Sequence, residues 1–407
     1  MDIFSIIAIL LTLSAIFSYI NYRYFKLPTT IGLMLFSLIL SLSLIILGKF
    51  GFPFANLSRE IVKSIDFNKT LMQGMLSYLL FAGALQINLN DLLEKKWAIG
   101  TLATLGVLLS TFTVGTIVYF LTMWMGFGMK YIYCLLFGAL ISPTDPIAVL
   151  GILKKVGIPK SLETKIAGES LFNDGVGVVV FITLMGAAFG GHDISFGHIA
   201  LLFGQEAIGG AAFGIFCGYL AYYLLKSVDN YQVEILITLA LVTGGYALAS
   251  AIHISGPIAI VVAGLLIGNH GRRLAMSERT REHLDTFWEL IDEILNALLF
   301  ILIGLEILVL TISRQHLLIG VLAIPVVLLA RIISIGIPIN LLKIWREFSV
   351  NVIKTMTWGG LRGGISVALA LSLPAMVERD IILTMTYSVV VFSILVQGLT
   401  LKYIVKQ

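Results

Sequence analysis

Gly168-Glu169-Ser170-Leu171-Phe172-Asn173-Asp174 puts two carboxylates, a hydroxyl and an amide into one short run, and Gly175-Val176-Gly177-Val178-Val179-Val180 follows at once. A charged side chain near the centre of a bilayer costs on the order of 3 kcal/mol or more, so an acid in an apolar span marks an ion path or proton relay by default. On a helix, Ser170 and Asp174 are four apart and share a face, as do Glu169 and Asn173. Asp174 is read as the ion- and proton-binding carboxylate. Burial disfavours the charged form of such a group and a bound cation favours it, so Na+ and H+ compete for one side chain. An Asp held only by structural hydrogen bonds is the plain alternative.

Two further segments bear on the same chemistry. In Ser142-Pro143-Thr144-Asp145-Pro146, each proline removes a backbone donor and obstructs the carbonyl four residues earlier, so the helix unwinds around Thr144-Asp145. Asp145 is placed as an N-cap, with Pro146 at the first helical position beyond it. The carbonyls freed by the break carry the negative end of the helix dipole. With the Thr144 carbonyl and nearby carboxylates they make an oxygen-lined site suited to a hard monovalent cation. A proline kink capped by Asp145 is the competing reading. Gly359-Gly360-Leu361-Arg362-Gly363-Gly364 interrupts a second apolar run. Buried charges need partners, and Arg331 and Arg362 both fall in apolar spans. Glu169 is expected to pair with Arg331, with Asn173 joining by hydrogen bonding, and Arg362 to offset the carbonyl ends of its own broken helix. The reverse pairing remains open.

The elements that must position these residues follow from composition. The 407 residues are 58% hydrophobic and 12% charged, against about 25% charged in a soluble domain. Apolar runs of membrane-spanning length recur throughout, and no segment is long or polar enough for a soluble regulatory domain. The reading is a single all-α polytopic membrane domain over 1–407. Its roughly 13 spans lie near 3–20, 29–48, 70–87, 97–124, 131–152, 165–189, 198–225, 232–252, 256–269, 288–312, 317–341, 351–373 and 381–401. The period-two alternation of a membrane barrel is absent. Met1-Asp2-Ile3-Phe4 lacks the basic region of a cleavable signal, so the first run is expected to be retained. Most Lys and Arg of the connections, including Lys154, Lys155, Lys160, Lys165, Arg272, Arg273, Arg279 and Arg281, fall on one side. That side is cytoplasmic by the positive-inside rule, which puts the N-terminus outside and the C-terminus inside. The net charge of +4 reflects these loops and gives no footprint for nucleic acid. Cys134 and Cys217 sit in apolar runs and read as packing residues, without a disulfide or metal site.

The interrupted spans are the fifth and the twelfth, in corresponding positions of two halves. Such pairs point to a transporter's binding site, and the odd offset makes spans 1–6 and 8–13 repeats of opposite orientation. Glu289, Asp292, Glu293 and Glu306, in the tenth span, either line a cytoplasmic funnel or form the interfacial end of a helix.

Four blocks, Ser142–Val149 (SPTDPIAV), Gly168–Asp174 (GESLFND), Phe287–Glu306 (FWELIDEILNALLFILIGLE) and Gly359–Ile365 (GGLRGGI), together resemble the NhaP-type sodium/proton antiporters of the monovalent cation:proton antiporter family. The resemblance extends over essentially the whole chain. It implies thirteen spans in an inverted repeat, a homodimer in the plasma membrane, and a transport bundle of spans 4–6 and 11–13 moving against a dimerisation domain made of the rest. It implies cation ligands at Asp174, Asp145, Ser170 and the Thr144 carbonyl, and no cofactor. The Asn173-Asp174 pair looks like the electroneutral branch. One departure stands out: Ala82 occupies a position where the family usually has Glu, which puts an accessory ligand in doubt. The chain also stops at Gln407, without the long cytoplasmic tail of animal relatives.

Exchange of Na+ or Li+ for H+ is therefore the leading expectation. K+/H+ exchange and sodium-coupled uptake of a solute are the alternatives on the same fold. No HExxH, GxSG or GxGD motif for an intramembrane hydrolase occurs, so an enzyme is not expected.

Overall fold

The structure, a computed structural model, describes residues 3–50, 54–63, 65–145, 149, 160–189, 196–310, 313–343 and 351–405. Among the described residues there are helices and no strands. The longer ones are α1 (Ile3–Ile20), α2 (Thr29–Lys49), α3 (Phe54–Lys63), α4 (Leu76–Gln86), α5 (Lys96–Trp124), α6 (Tyr131–Leu140), α7 (Lys160–Phe189) and α8 (Phe196–Lys226). They continue with α9 (Tyr231–Ala251), α10 (Gly256–Leu266), α11 (Glu278–Glu306), α12 (Arg314–Leu342), α13 (Val352–Trp358), α14 (Gly364–Leu371), α15 (Val377–Phe392) and α16 (Gly398–Val405). A helix lies at each expected span. Eight helices among the described residues are long and apolar enough to cross a membrane unaided. The others are short, interrupted or charged.

Local sequence explains where the helices start. Asn230 accepts hydrogen bonds from the backbone N–H groups of Gln232 and Val233 at the head of α9, and Ser313 accepts from His316 at the head of α12. Ser255, followed by Gly256-Pro257, caps α10 in the same way. Such caps satisfy orphan donors that lipid cannot. Helix α11 begins ten residues before the expected span, at Glu278, because Ser277 caps it and its first turns are charged. Hydropathy detects the apolar half of that helix only.

Helix α5 packs against α6, α7 and α12, and α12 packs against α15. Their buried faces meet in one large apolar cluster that includes Val114, Phe137, Phe181, Val327, Ala330 and Val390. A second cluster gathers Phe81, Val242, Ile260, Ala263 and Trp288 where α4, α9, α10 and α11 meet. Large apolar side chains also stay exposed on outward helix faces, among them Phe112, Phe120, Phe216, Leu236 and Ile332. A water-soluble protein would bury them; a lipid-facing one has no reason to. Cys134 and Cys217 are free thiols, the first buried and the second partly so.

Both interruptions are present. Helix α6 stops at Leu140, a little before the expected unwinding, and Ile141–Asp145 run without helical structure. Residues 146–148 and 150–152 lie outside the described residues, and with them most of the helix expected to begin after Asp145. Helix α13 ends at Trp358 and α14 starts at Gly364, leaving 359–363 unwound.

Candidate functional site

The two breaks are tied directly to each other. The backbone N–H of Asp145 donates to the Leu361 carbonyl at 2.8 Å. The Arg362 guanidinium, only 2% exposed, donates from Nη1 to the carbonyls of Ser142 at 2.5 Å and Pro143 at 2.9 Å. Arg362 thus offsets the exposed carbonyls of the fifth span rather than those of its own helix, which corrects the sequence expectation. A helix end cut short by Pro143 has free carbonyls, and a buried cation is the strongest available donor to them.

The glycines of the second break explain how the parts come so close. A side chain at Gly360 would collide with the Arg331 guanidinium, and one at Gly363 with the Asp145 carboxylate. Gly364 packs on Leu299 of α11 in the same manner. Behind the break, the Ser393–Gln397 segment forms a π-helical turn. Ser393 Oγ accepts from the Arg362 backbone N–H at 3.0 Å, and Gln397 Nε2 donates to the Trp358 carbonyl at 3.1 Å. The turn braces the unwound segment with side chains where helical bonds are missing.

On α7 a continuous polar chain leads from an ion pair to the first break. Arg331 donates from Nη1 and Nη2 to the two oxygens of Glu169, at 2.7 and 2.9 Å. Asn173 Nδ2 donates to Glu169 Oε1 at 3.2 Å and to Thr144 Oγ1 at 2.8 Å, while its Oδ1 accepts from the Thr144 backbone N–H at 3.2 Å. Thr144 Oγ1 lies 3.0 Å from Ser170 Oγ. Because the Asn173 amide already donates to Thr144 Oγ1, the threonine proton is free to point at Ser170. Asn173 spends its whole amide on holding Thr144 and Glu169 in place.

Asp174 stands apart from this chain. It lines a cavity of about 750 Å³ together with Pro143, Thr144, Asp145 and Gly363. Ser170, 2% exposed, sits behind Thr144 and off the cavity wall. Thr144, Asp145 and Asp174 are therefore gathered on one surface, and Ser170 reaches it through the threonine hydroxyl. Glu289, Asp292 and Glu293 also line this cavity, as does Glu163, whereas Glu306, at the end of α11, does not.

Comparison with known proteins gives this arrangement a context. The chain matches the family described as sodium/hydrogen exchanger, transmembrane, over residues 9–407. The chain belongs to that exchanger family. It is 51% identical to the Na(+)/H(+) antiporter NhaP of Pseudomonas aeruginosa, across 99% of this chain and 96% of that one. It is 36% identical to the Na(+)/H(+) antiporter NhaH of Halobacillus dabanensis, across 100% and 98%. Its fold matches that of the sodium proton antiporter MjNhaP1 from Methanocaldococcus jannaschii, with a TM-score of 0.77 at 19% identity and 99% or more of both chains covered.

The surroundings of Ala82, and two further cavity residues of this exchanger, escape sequence reading. Ala82, where the family resemblance calls for Glu, is fully buried in the apolar cluster with Phe81 and Trp288, while its neighbours Leu80 and Gly83 face the cavity. Asn296 and Ser366 line the cavity as well. The Asp292-x-x-x-Asn296 spacing, which puts both on one face of α11, is the sequence signal that points to the first.

Proposed function

We propose that this chain is a secondary antiporter that exchanges Na+, or Li+, for H+ across the cell membrane, and that cation and proton compete for Asp174. The observation that supports it most is the gathering of Asp174, Asp145 and Thr144 on one cavity wall where two interrupted helices are bound together. A partly dehydrated alkali cation needs several hard oxygens, and two carboxylates with a hydroxyl or carbonyl are such a set. Ser170 joins the set from α7 through its contact with the Thr144 hydroxyl, while Glu169, Asn173, Arg331 and Arg362 keep it in register. Protonation of Asp174 removes the charge that holds the cation, so arrival of one ion expels the other and no cofactor takes part.

In this reading the bundle of spans 4–6 and 11–13 moves as a body, carrying the site from one side to the other. The remaining spans form the dimerisation domain of a homodimer in the plasma membrane, with the N-terminus outside and the C-terminus in the cytoplasm. The names of the 51% and 36% identical relatives support Na+ as the cargo.

The test is exchange by purified protein in proteoliposomes holding a pH-sensitive dye, driven by pulses of Na+, Li+ or K+. Asp174→Ala is expected to be silent, and Asp174→Glu to exchange with an altered half-saturating Na+ concentration. Normal exchange by Asp174→Ala would refute the assignment of the site. A larger response to K+ than to Na+ would move the cargo to K+.

A further inference from the structure

The cavity wall carries buried oxygens that the site around Asp174 leaves unused. Asn296, 3% exposed, lines the cavity from α11, and Ser366, 1% exposed, lines it from α14. Among the described residues neither Asn296 Oδ1 nor Ser366 Oγ has a hydrogen-bond partner. A buried polar atom left without a partner is costly and calls for an explanation, often an ion or water held there. The orientation of the amide is fixed by its other end. Asn296 Nδ2 donates to the Asp292 carbonyl at 2.8 Å, and only a nitrogen can do that, so the oxygen is the atom left without a partner.

Asn296 and Ser366 line the same cavity from neighbouring helices. Gly364, two residues before Ser366, packs on Leu299, which lies three residues after Asn296. Gly363 abuts Asp145, and Asp292, Glu289 and Glu293 line the same cavity as Asp145. One cavity is thus lined by residues that bear an amide oxygen, a hydroxyl oxygen and a carboxylate, with further acids beside them. Thiols and imidazoles are missing from this set, and hard oxygen donors of low total charge suit an alkali cation.

We propose that Asp292, Asn296 and Ser366 form a second, outer station for the alkali cation, which it occupies before reaching Asp174. The station rests on the antiporter reading for its purpose, although its occupancy is measurable without transport. It exchanges some of the ion's waters for fixed oxygens early in the path. It also keeps the local cation concentration high at the cavity's inner end.

Equilibrium binding of ²²Na+ to the purified full-length chain tests this. Asp174→Ala is expected to keep a weaker Na+ site, and Asp174→Ala with Asn296→Leu to lose it. Ser366→Ala, a smaller change that keeps the fold if Asn296→Leu does not, should weaken the residual site by about threefold to tenfold. Asn296→Asp, which retains an oxygen, should preserve it. Absence of residual binding in Asp174→Ala, or residual binding indifferent to both Asn296→Leu and Ser366→Ala, would overturn the outer station. Persistent exchange by Asp174→Ala refutes the antiport site instead and leaves the binding comparison intact, so the two failures are distinguishable.

Discussion

Both terminal nitrogens of Arg331 lie on the two oxygens of one carboxylate, which makes the pair with Glu169 a planar clamp buried in the bundle. Removing one partner of such a pair strands the other charge. Glu169→Ala is therefore expected to cost about 3–5 kcal/mol, read as a lowered midpoint of thermal unfolding in detergent. Glu169→Leu combined with Arg331→Met should recover most of that loss, since two apolar residues of similar size replace a neutralised pair. A double variant no more stable than the single one would show that the clamp is not the source of the loss. At this scale the sequence is partly legible. Glu169 and Arg331 suggest each other because apolar spans hold so few charges. The partners of Arg362 cannot be read, because the Pro143 carbonyl it binds is 219 residues away and is exposed only when two breaks meet. The free oxygens of Asn296 and Ser366 leave no mark either, since satisfaction of a polar atom is a property of the packed state.

Among the elements, the join of α5 to α6 sets the position of the first break. A side chain at Gly138 would run into the backbone of Thr111, and one at Gly115 would come within 2.7 Å of Leu135 Cδ2 and 3.0 Å of its Cα. The two helices touch through their backbones there, as small residues allow inside membranes. Gly138→Val is expected to push α6 away from α5 and to destabilise by about 1–3 kcal/mol. It should also raise the half-saturating Na+ concentration in proteoliposomes, because Thr144 is carried on the end of α6. Wild-type stability and affinity in Gly138→Val would mean that this contact does not position the break. Proline and glycine made both breaks visible in the sequence. Their exact limits were not: unwinding starts at Ile141, before the first proline, because Pro143 blocks the carbonyl four residues earlier.

For the whole molecule, apolar run length is enough to anticipate an all-helical membrane fold, and what it misses is helix α3 and the charged start of α11. The cavity is lined by Ser18, Thr29, Gln86, Glu163 and Glu289, all near connections assigned to the cytoplasmic side. With Cys134 and Cys217 replaced by Ala, a membrane-impermeant maleimide is expected to label Glu289→Cys in inside-out vesicles and to spare it in right-side-out ones. The reverse pattern would invert the assigned orientation. The knot between the two breaks also imposes an electrical condition on the proposed cycle. Two guanidinium groups, Arg331 and Arg362, formally one positive charge each, lie among three carboxylates, Glu169, Asp145 and Asp174. With no cargo that group has one surplus negative charge, and a single Na+ or a single proton cancels it. Self-energy in a low-dielectric interior opposes moving an uncompensated charge and hardly affects a neutral group. In the proposed cycle an empty carrier is then the slow species and either loaded form the fast one, so the five side chains proposed to shape the site would also guard against a leak.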